Sequence, residues 1–117
     1  MAATQYWDPS GLLIIEADSG LKINYKIDGT KISFNNEQMT IDLAKFEKEY
    51  TLQLPISQDF DNCVTTGTSK KMWAMITIPT KQYILTPVDD PNATIPLYTK
   101  TAIPFNMRGC RMILYRK

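Results

Sequence analysis

The sequence predicts an all-β domain, and composition, alternation and turn spacing each point to it. The chain is rich in isoleucine and threonine, which are β-branched, stiff at χ1 and well suited to a pleated surface. Short extended segments recur between turn signals at a spacing of about ten residues, which is typical of antiparallel sandwiches and barrels. We therefore expect an antiparallel β-sandwich (a jelly roll among the candidates) or a small barrel, with at most one short helix, near residues 40–49.

The clearest predicted element is a β-hairpin over residues 21–34. Its first half alternates apolar with polar residues, the apolar ones being Leu21, Ile23, Tyr25 and Ile27. Asp28-Gly29 follows, and alternation resumes up to Phe34. An Asp-Gly pair between alternating runs favours a tight hairpin turn, because glycine adopts the positive φ that such a turn requires.

The N-terminal residues are set apart by the turn signature Asp8-Pro9-Ser10-Gly11. This signature predicts an N-terminal arm over residues 1–10, which carries Tyr6 and Trp7, and a single β domain over residues 11–117. A short strand is expected at 11–16, directly after the turn.

Residues 39–49 support two interpretations. Met39, Ile41 and Leu43 alternate as in a strand. Phe46 follows Leu43 at helical spacing, and Thr40 is a candidate N-cap for a helix. The pattern does not decide between the two.

The second half of the chain predicts one long loop and several strands. Residues 57–71 are mainly polar, which predicts a loop that is either functional or mobile. Residues 72–78 are apolar on both faces, as in a strand that is central in its sheet or covered by another element. Further strands are expected at 82–88, 94–101 and 110–116.

Prolines end or interrupt many of these extended runs. They are Pro55, Pro79, Pro87, Pro96 and Pro104. Because proline donates no ladder hydrogen bond, it belongs at strand ends, edges and bulges. One interpretation is protection of sheet edges against aggregation. The other is that some of these segments are extended arms.

Size, charge and cysteine usage exclude several classes of protein. The 117 residues are 44% hydrophobic and 21% charged, as in one globular domain. The net charge of +1 gives no electrostatic field that would attract nucleic acid. The longest apolar run, 72–76, is too short for a membrane span. No leader sequence is expected, so we predict cytoplasmic synthesis and leave the final location open, a virion included. Cys63 and Cys110 are too far apart for a CxxC site, and two reduced thiols are favoured over a bridge.

The sequence carries no pattern typical of catalysis or metal binding. It has no histidine, which removes the commonest general base and metal ligand. It lacks GxGxxG, P-loop and GxSxG motifs, and residues 59–70 depart from the calcium-loop pattern. We therefore expect no enzymatic activity, no cofactor and no metal.

The function expected from these observations is that of a structural or interaction protein. We predict a subunit of a larger assembly of the virion, tail or appendage type, which contacts protein partners or further copies of itself through strand edges and the aromatic arm. The candidate contact residues are Tyr6, Trp7, Trp73 and Met75.

The alternative is a small barrel or OB-like module that binds an oligonucleotide, an oligosaccharide or an apolar ligand. Its candidate nucleic-acid residues are Arg108, Arg111, Tyr115 and Arg116. On a strand, Arg111 and Tyr115 would face one side and Arg116 the other, so nucleic-acid binding is not expected.

Overall fold

The computed structural model describes residues 4–92 and 94–117. Within them lie eleven strands, a one-turn α-helix and a 3₁₀ turn at Met107–Gly109. The elements are β1 (Thr4–Trp7), β2 (Leu13–Glu16), β3 (Tyr25–Asp28), β4 (Lys31–Phe34), β5 (Met39–Asp42), α1 (Leu43–Phe46), β6 (Leu52–Gln58), β7 (Val64–Thr66), β8 (Lys71–Ile78), β9 (Tyr83–Val88), β10 (Leu97–Ala102) and β11 (Arg111–Leu114). The all-β class predicted from the sequence is confirmed.

The largest unit is a six-stranded sheet in the order β1-β2-β11-β8-β6-β7. The β2–β11 pair is parallel, and the other pairs are antiparallel. β1 and β7 are its two edge strands, so the sheet is open and the fold is not a closed barrel. β8 lies between β11 and β6, which explains why its sequence is apolar on both faces.

The second sheet contains the predicted hairpin and has the order β3-β4-β5. Asp28 pairs with Lys31, and Gly29 begins the turn with φ of 62°. A positive φ at this position is what a two-residue hairpin turn requires. The hairpin is confirmed, although its first strand begins only at Tyr25 and Leu21 is exposed.

One hydrophobic core contains side chains from both sheets. The fully buried members of the six-stranded sheet are Ile14, Ile56, Ala74, Ile76, Ile78 and Met112, and those of the three-stranded sheet are Ile32 and Phe34. Leu43, at the start of α1, is buried in the same core. Alternating positions of each strand therefore meet in one apolar layer.

The segment 39–49 contains both of the structures between which its sequence did not decide. β5 occupies residues 39–42, and α1 follows at once. The N-cap is Asp42 and not Thr40. The Asp42 carboxylate accepts hydrogen bonds from the Ala44 amide at 3.1 Å and the Thr30 hydroxyl at 2.7 Å. The Thr30 hydrogen bond lowers the pKa of Asp42 below its usual value.

Two predicted irregular segments belong to the six-stranded sheet. Residues 4–7 of the expected N-terminal arm form the edge strand β1, in which Trp7 pairs with Leu13. The expected loop at 57–71 is instead mostly a hairpin, because β6 continues to Gln58 and β7 folds back on it. The tight turn at 59–62 explains the polar composition, since the Asp59 carboxylate accepts hydrogen bonds from two backbone amides.

Both cysteines are free thiols. Cys63 is half-buried in the β6–β7 turn and Cys110 is buried just before β11. Burial raises the pKa of the Cys110 thiol to about 11, so it stays protonated at neutral pH. Neither helix of the described chain has the length and apolar character that crossing a bilayer requires.

Candidate protein-interaction surfaces

The most unusual feature of the molecule is the hairpin formed by β9 and β10. The two strands pair in continuous antiparallel register from Tyr83–Ala102 to Val88–Leu97. They form a sheet of their own, and no third strand of the described residues pairs with them. Every strand residue of this hairpin is exposed except the half-buried Tyr83.

Large apolar side chains of the hairpin are exposed to solvent. Ile84 is 56% exposed and Leu85 is 60% exposed. The others that are exposed in the strands and the connecting segment are Val88, Ile95, Leu97 and Tyr98. Such a concentration of exposed apolar residues on a small protein is typical of an interaction surface.

The dimensions of the chain show that the hairpin projects from the body formed by the two larger sheets. The principal extents are 63 × 30 × 23 Å, and the radius of gyration is 18.4 Å. A compact chain of this length has a radius of gyration of about 13 Å. The accessible surface is 7630 Å², whereas a compact protein of this mass exposes about 6500 Å².

Two hydrogen bonds attach the base of the hairpin to the body, one from the Tyr83 side chain and one from the Lys81 amide to the Lys48 carbonyl at 2.8 Å, and contacts within the hairpin close its base. The Tyr83 hydroxyl donates a hydrogen bond to the Glu49 carboxylate, and this hydrogen bond raises the pKa of Tyr83. The Lys100 ammonium lies 4.0 Å from the centre of the Tyr83 ring. The Ile103 amide closes the base by donating to the Gln82 carbonyl at 2.9 Å. The hairpin therefore begins from a defined point on the body.

The register divides the hairpin side chains between two faces. One face, which we call the aliphatic face, consists of Ile84, Thr86, Val88, Leu97, Thr99 and Thr101 and carries no charge. The opposite face includes Leu85, Tyr98 and the cation Lys100. Asp89 and Asp90 follow β9 directly and give the tip two negative charges.

A second candidate surface is the side of the six-stranded sheet that faces away from the core. Ile14, Met112 and Ile76 form a buried row on the core side, so their strand neighbours point outward. The outward-pointing residues, which we call the outer face, include Trp7, Leu13, Ile15, Pro55, Met75, Arg111 and Ile113. All of the aliphatic members are partly exposed, and Trp7 is 64% exposed.

Of the four residues predicted to contact proteins, two lie on the outer face and two do not. Trp7 and Met75 lie on the outer face. Trp73 is buried, and the Lys117 ammonium lies 5.7 Å from its ring centre. Tyr6 points to the opposite side of β1, where its hydroxyl lies 3.1 Å from that of Tyr25. Burial raises the pKa of Tyr6.

The four residues considered for nucleic-acid binding do not form one basic surface. Arg111 is on the outer face and Tyr115 continues that strand, its amide bonded to the Trp73 carbonyl. Arg108 lies in the 3₁₀ turn and lines a groove of about 410 Å³ together with Trp7. Arg116 lies on the other side of the strand, next to Gly20.

Sequence analysis did not select any hairpin residue as a contact residue. The available signal was the pair Pro87 and Pro96, which interrupt two adjacent apolar runs on either side of Asp89-Asp90. Alternation alone could not reveal the exposure, because a strand in a core and a strand in an arm have the same period.

Comparisons of the chain with protein-family models, with curated proteins and with solved structures found no match.

Proposed function

We propose that this protein is a non-enzymatic structural subunit that joins a larger assembly by inserting its β9–β10 hairpin into a protein neighbour. The observation that supports the proposal is the set of large apolar side chains exposed on a hairpin that packs against no other sheet.

The hairpin needs a partner for two physical reasons. A two-stranded hairpin without a covering layer is at best marginally stable in water. Burying a side chain such as Ile84 or Leu85, each more than half exposed, yields on the order of 1 kcal/mol. Six such side chains together can offset the entropic cost of association, which is itself several kcal/mol.

Strand edges offer further contacts in the proposed assembly. β1 is an exposed edge strand whose outward backbone groups can accept a strand from a neighbour. Trp7, at the end of β1, belongs to a residue type enriched among energetically dominant contacts. These features make the N-terminal edge a second contact region.

The proposal can be tested by combining light scattering with a pull-down from the native source. The wild-type chain is compared with an Ile84→Asp/Leu97→Asp double variant, and Leu21→Asp serves as the control because Leu21 is exposed elsewhere on the molecule. We expect the wild type and the control to form an assembly or to retain a stoichiometric protein partner, and we expect the double variant to lose it while keeping the same circular dichroism spectrum. If the wild type is monomeric at high concentration and retains no partner, the proposed function is wrong.

A further inference from the structure

The two exposed surfaces of this chain are complementary to each other. We propose that the aliphatic face of the hairpin from one chain docks on the outer face of the six-stranded sheet of a second copy. The inference rests on the proposed function and names the partner and the receiving surface.

The first argument is that each surface presents apolar side chains that nothing in the described chain covers. The hairpin presents the exposed side chains of Ile84, Val88 and Leu97. The outer face presents a row of partly exposed residues that are neighbours across four strands, namely Ile15, Ile113, Met75 and Pro55. Contact between the two surfaces would remove both from water.

The second argument is charge. Among the strand residues named for the outer face, Arg111 carries the one charge, and it is exposed between its cross-strand neighbours Leu13 and Thr77. The hairpin tip carries Asp89 and Asp90, which are of the opposite sign. A sheet surface whose strands carry a cation and a hairpin with an acidic tip are electrostatically complementary.

Charge also selects which side of the hairpin docks. The aliphatic face carries no charge, whereas the opposite face carries Lys100. Lys100 would be repelled by Arg111 if its own face were buried against the sheet. It is instead held at the base, against the ring of Tyr83.

The third argument is that the hairpin does not cover the outer face of its own chain. The hairpin extends the molecule to 63 Å, and its strand residues are exposed. A six-residue strand spans about 20 Å, which is long enough to cross four strands of a sheet at a spacing of about 5 Å. The outer face of a second copy therefore fits the hairpin in length.

The contact joins two different surfaces, so each chain is both donor and acceptor. In a reciprocal exchange, each chain contributes the six residues of the aliphatic face and the seven named residues of the outer face, which is fewer than the roughly 20 to 30 residues per side of a standard interface. Two chains can exchange hairpins around a two-fold axis, or successive chains can continue as a ring or filament.

The test uses charge reversal in the full-length protein. Arg111→Glu places a negative charge where the acidic tip docks, and Asp89→Lys/Asp90→Lys reverses the tip. All three side chains are exposed, but the Asp90 carboxylate accepts a hydrogen bond from the Asn92 amide at the tip, so circular dichroism must verify that each variant keeps the fold. We expect each variant alone to weaken self-association measured by sedimentation velocity by about tenfold or more.

The decisive sample is an equimolar mixture of the two variants. In the mixture, the unchanged acidic tip of the Arg111→Glu chain meets Arg111 of the tip variant, and the reversed tip of that variant meets the new glutamate. Both contacts are again of opposite sign, and we expect association to return to near the wild-type level. Lys26→Glu is the matched control, because Lys26 is an exposed residue of β3, in the other sheet, and we expect it to leave association unchanged.

A second pair of variants tests the apolar part of the contact. Trp7→Ala removes the most exposed large hydrophobic side chain of the outer face, and Leu21→Ala removes an exposed side chain from another part of the molecule. We expect Trp7→Ala to weaken self-association and Leu21→Ala to leave it unchanged.

The outcomes separate this inference from the proposed function. If the wild type is monomeric but retains another protein through its hairpin, the inference that the partner is a second copy is wrong and the proposed function stands. If the wild type self-associates and neither charge variant weakens this association, or if the mixture does not restore it, the inference that the outer face receives the hairpin is wrong. If the wild type is monomeric and retains no partner, both are wrong.

Discussion

The central strand β8 and the hairpin strand β9 have similar sequences and opposite environments. β8 contains Ile76 and Ile78, and both are completely buried. β9 contains Ile84 and Leu85, and both are more than half exposed. Two adjacent strands of one chain thus show that apolar, β-branched composition predicts an extended backbone but not whether its side chains reach the core.

The difference arises from what lies beside each strand. β8 has β11 on one side and β6 on the other, and one of its faces packs on the core shared with the three-stranded sheet. β9 has only β10 as a neighbour. Apolar residues in β8 stabilise the monomer, whereas those in β9 can contribute free energy only when a second molecule covers them.

The largest predicted effect compares the same substitution in the two strands. Ile76→Ala should destabilise the protein by about 2 to 5 kcal/mol, because it leaves a cavity in the core. Ile84→Ala should change the free energy of unfolding of the monomer by less than about 0.5 kcal/mol, because the side chain is already exposed. Urea denaturation at low protein concentration measures both. Equal losses would show that the hairpin is packed on the body.

A smaller effect is expected at the turn of the three-stranded sheet. Gly29 has φ of 62° and no atom within 4 Å of the place where a Cβ would lie. Gly29→Val should therefore cost about 1 kcal/mol or more through backbone conformation alone.

Lys26→Val, at an exposed position of the same hairpin, is the control. We expect its denaturation midpoint to stay close to that of the wild type, since valine suits a strand. A Gly29→Val midpoint that did not move would contradict the positive φ at the turn.

A further effect is expected at alkaline pH and concerns Cys110 in the body. Burial raises the pKa of this thiol to about 11 in the folded state, above its value near 9 in the unfolded chain. Above pH 9 the unfolded state loses the thiol proton first, so the free energy of unfolding falls as the pH rises from about 9 to 11.

Cys110→Ala should reduce this decrease, because it removes the titrating group. Thermal denaturation of the wild type and the variant across this pH range measures the difference. Parallel curves would show that the thiol is accessible to water when the protein is folded. Cys63, which is only half-buried, should react with a thiol reagent at neutral pH well before Cys110 does.

Local signals in the sequence were sufficient for much of the body. The turn at Asp28-Gly29 depends on a glycine with positive φ, which the sequence indicates directly. The one-turn helix near residue 43 begins at a capping aspartate, but the local pattern there did not decide between a strand and a helix. The cap itself was placed two residues too early, at Thr40, because the Thr30 hydroxyl that supports Asp42 comes from the β3–β4 turn, twelve residues earlier in the chain.

Non-local pairing explains what the sequence analysis missed. β7 is only three residues long and polar, and it is a strand because β6 offers it backbone partners. β1 is held in the same way by β2. Backbone hydrogen bonds between distant segments do not depend strongly on side-chain identity, so they leave little trace in a single sequence.

Strand propensity and turn chemistry are properties of residues and their near neighbours. They were sufficient to predict the all-β class and the Asp28-Gly29 hairpin. Strand pairing and register decide the rest. They place Trp7, Met75 and Arg111 on one face, and they determine that Trp73 is buried and that the hairpin projects. Register assigns each side chain to the core or to the surface, and a shift of one residue exchanges the two. The candidate interaction surfaces therefore exist only in the folded chain, where register and pairing expose apolar side chains on the hairpin and the outer face.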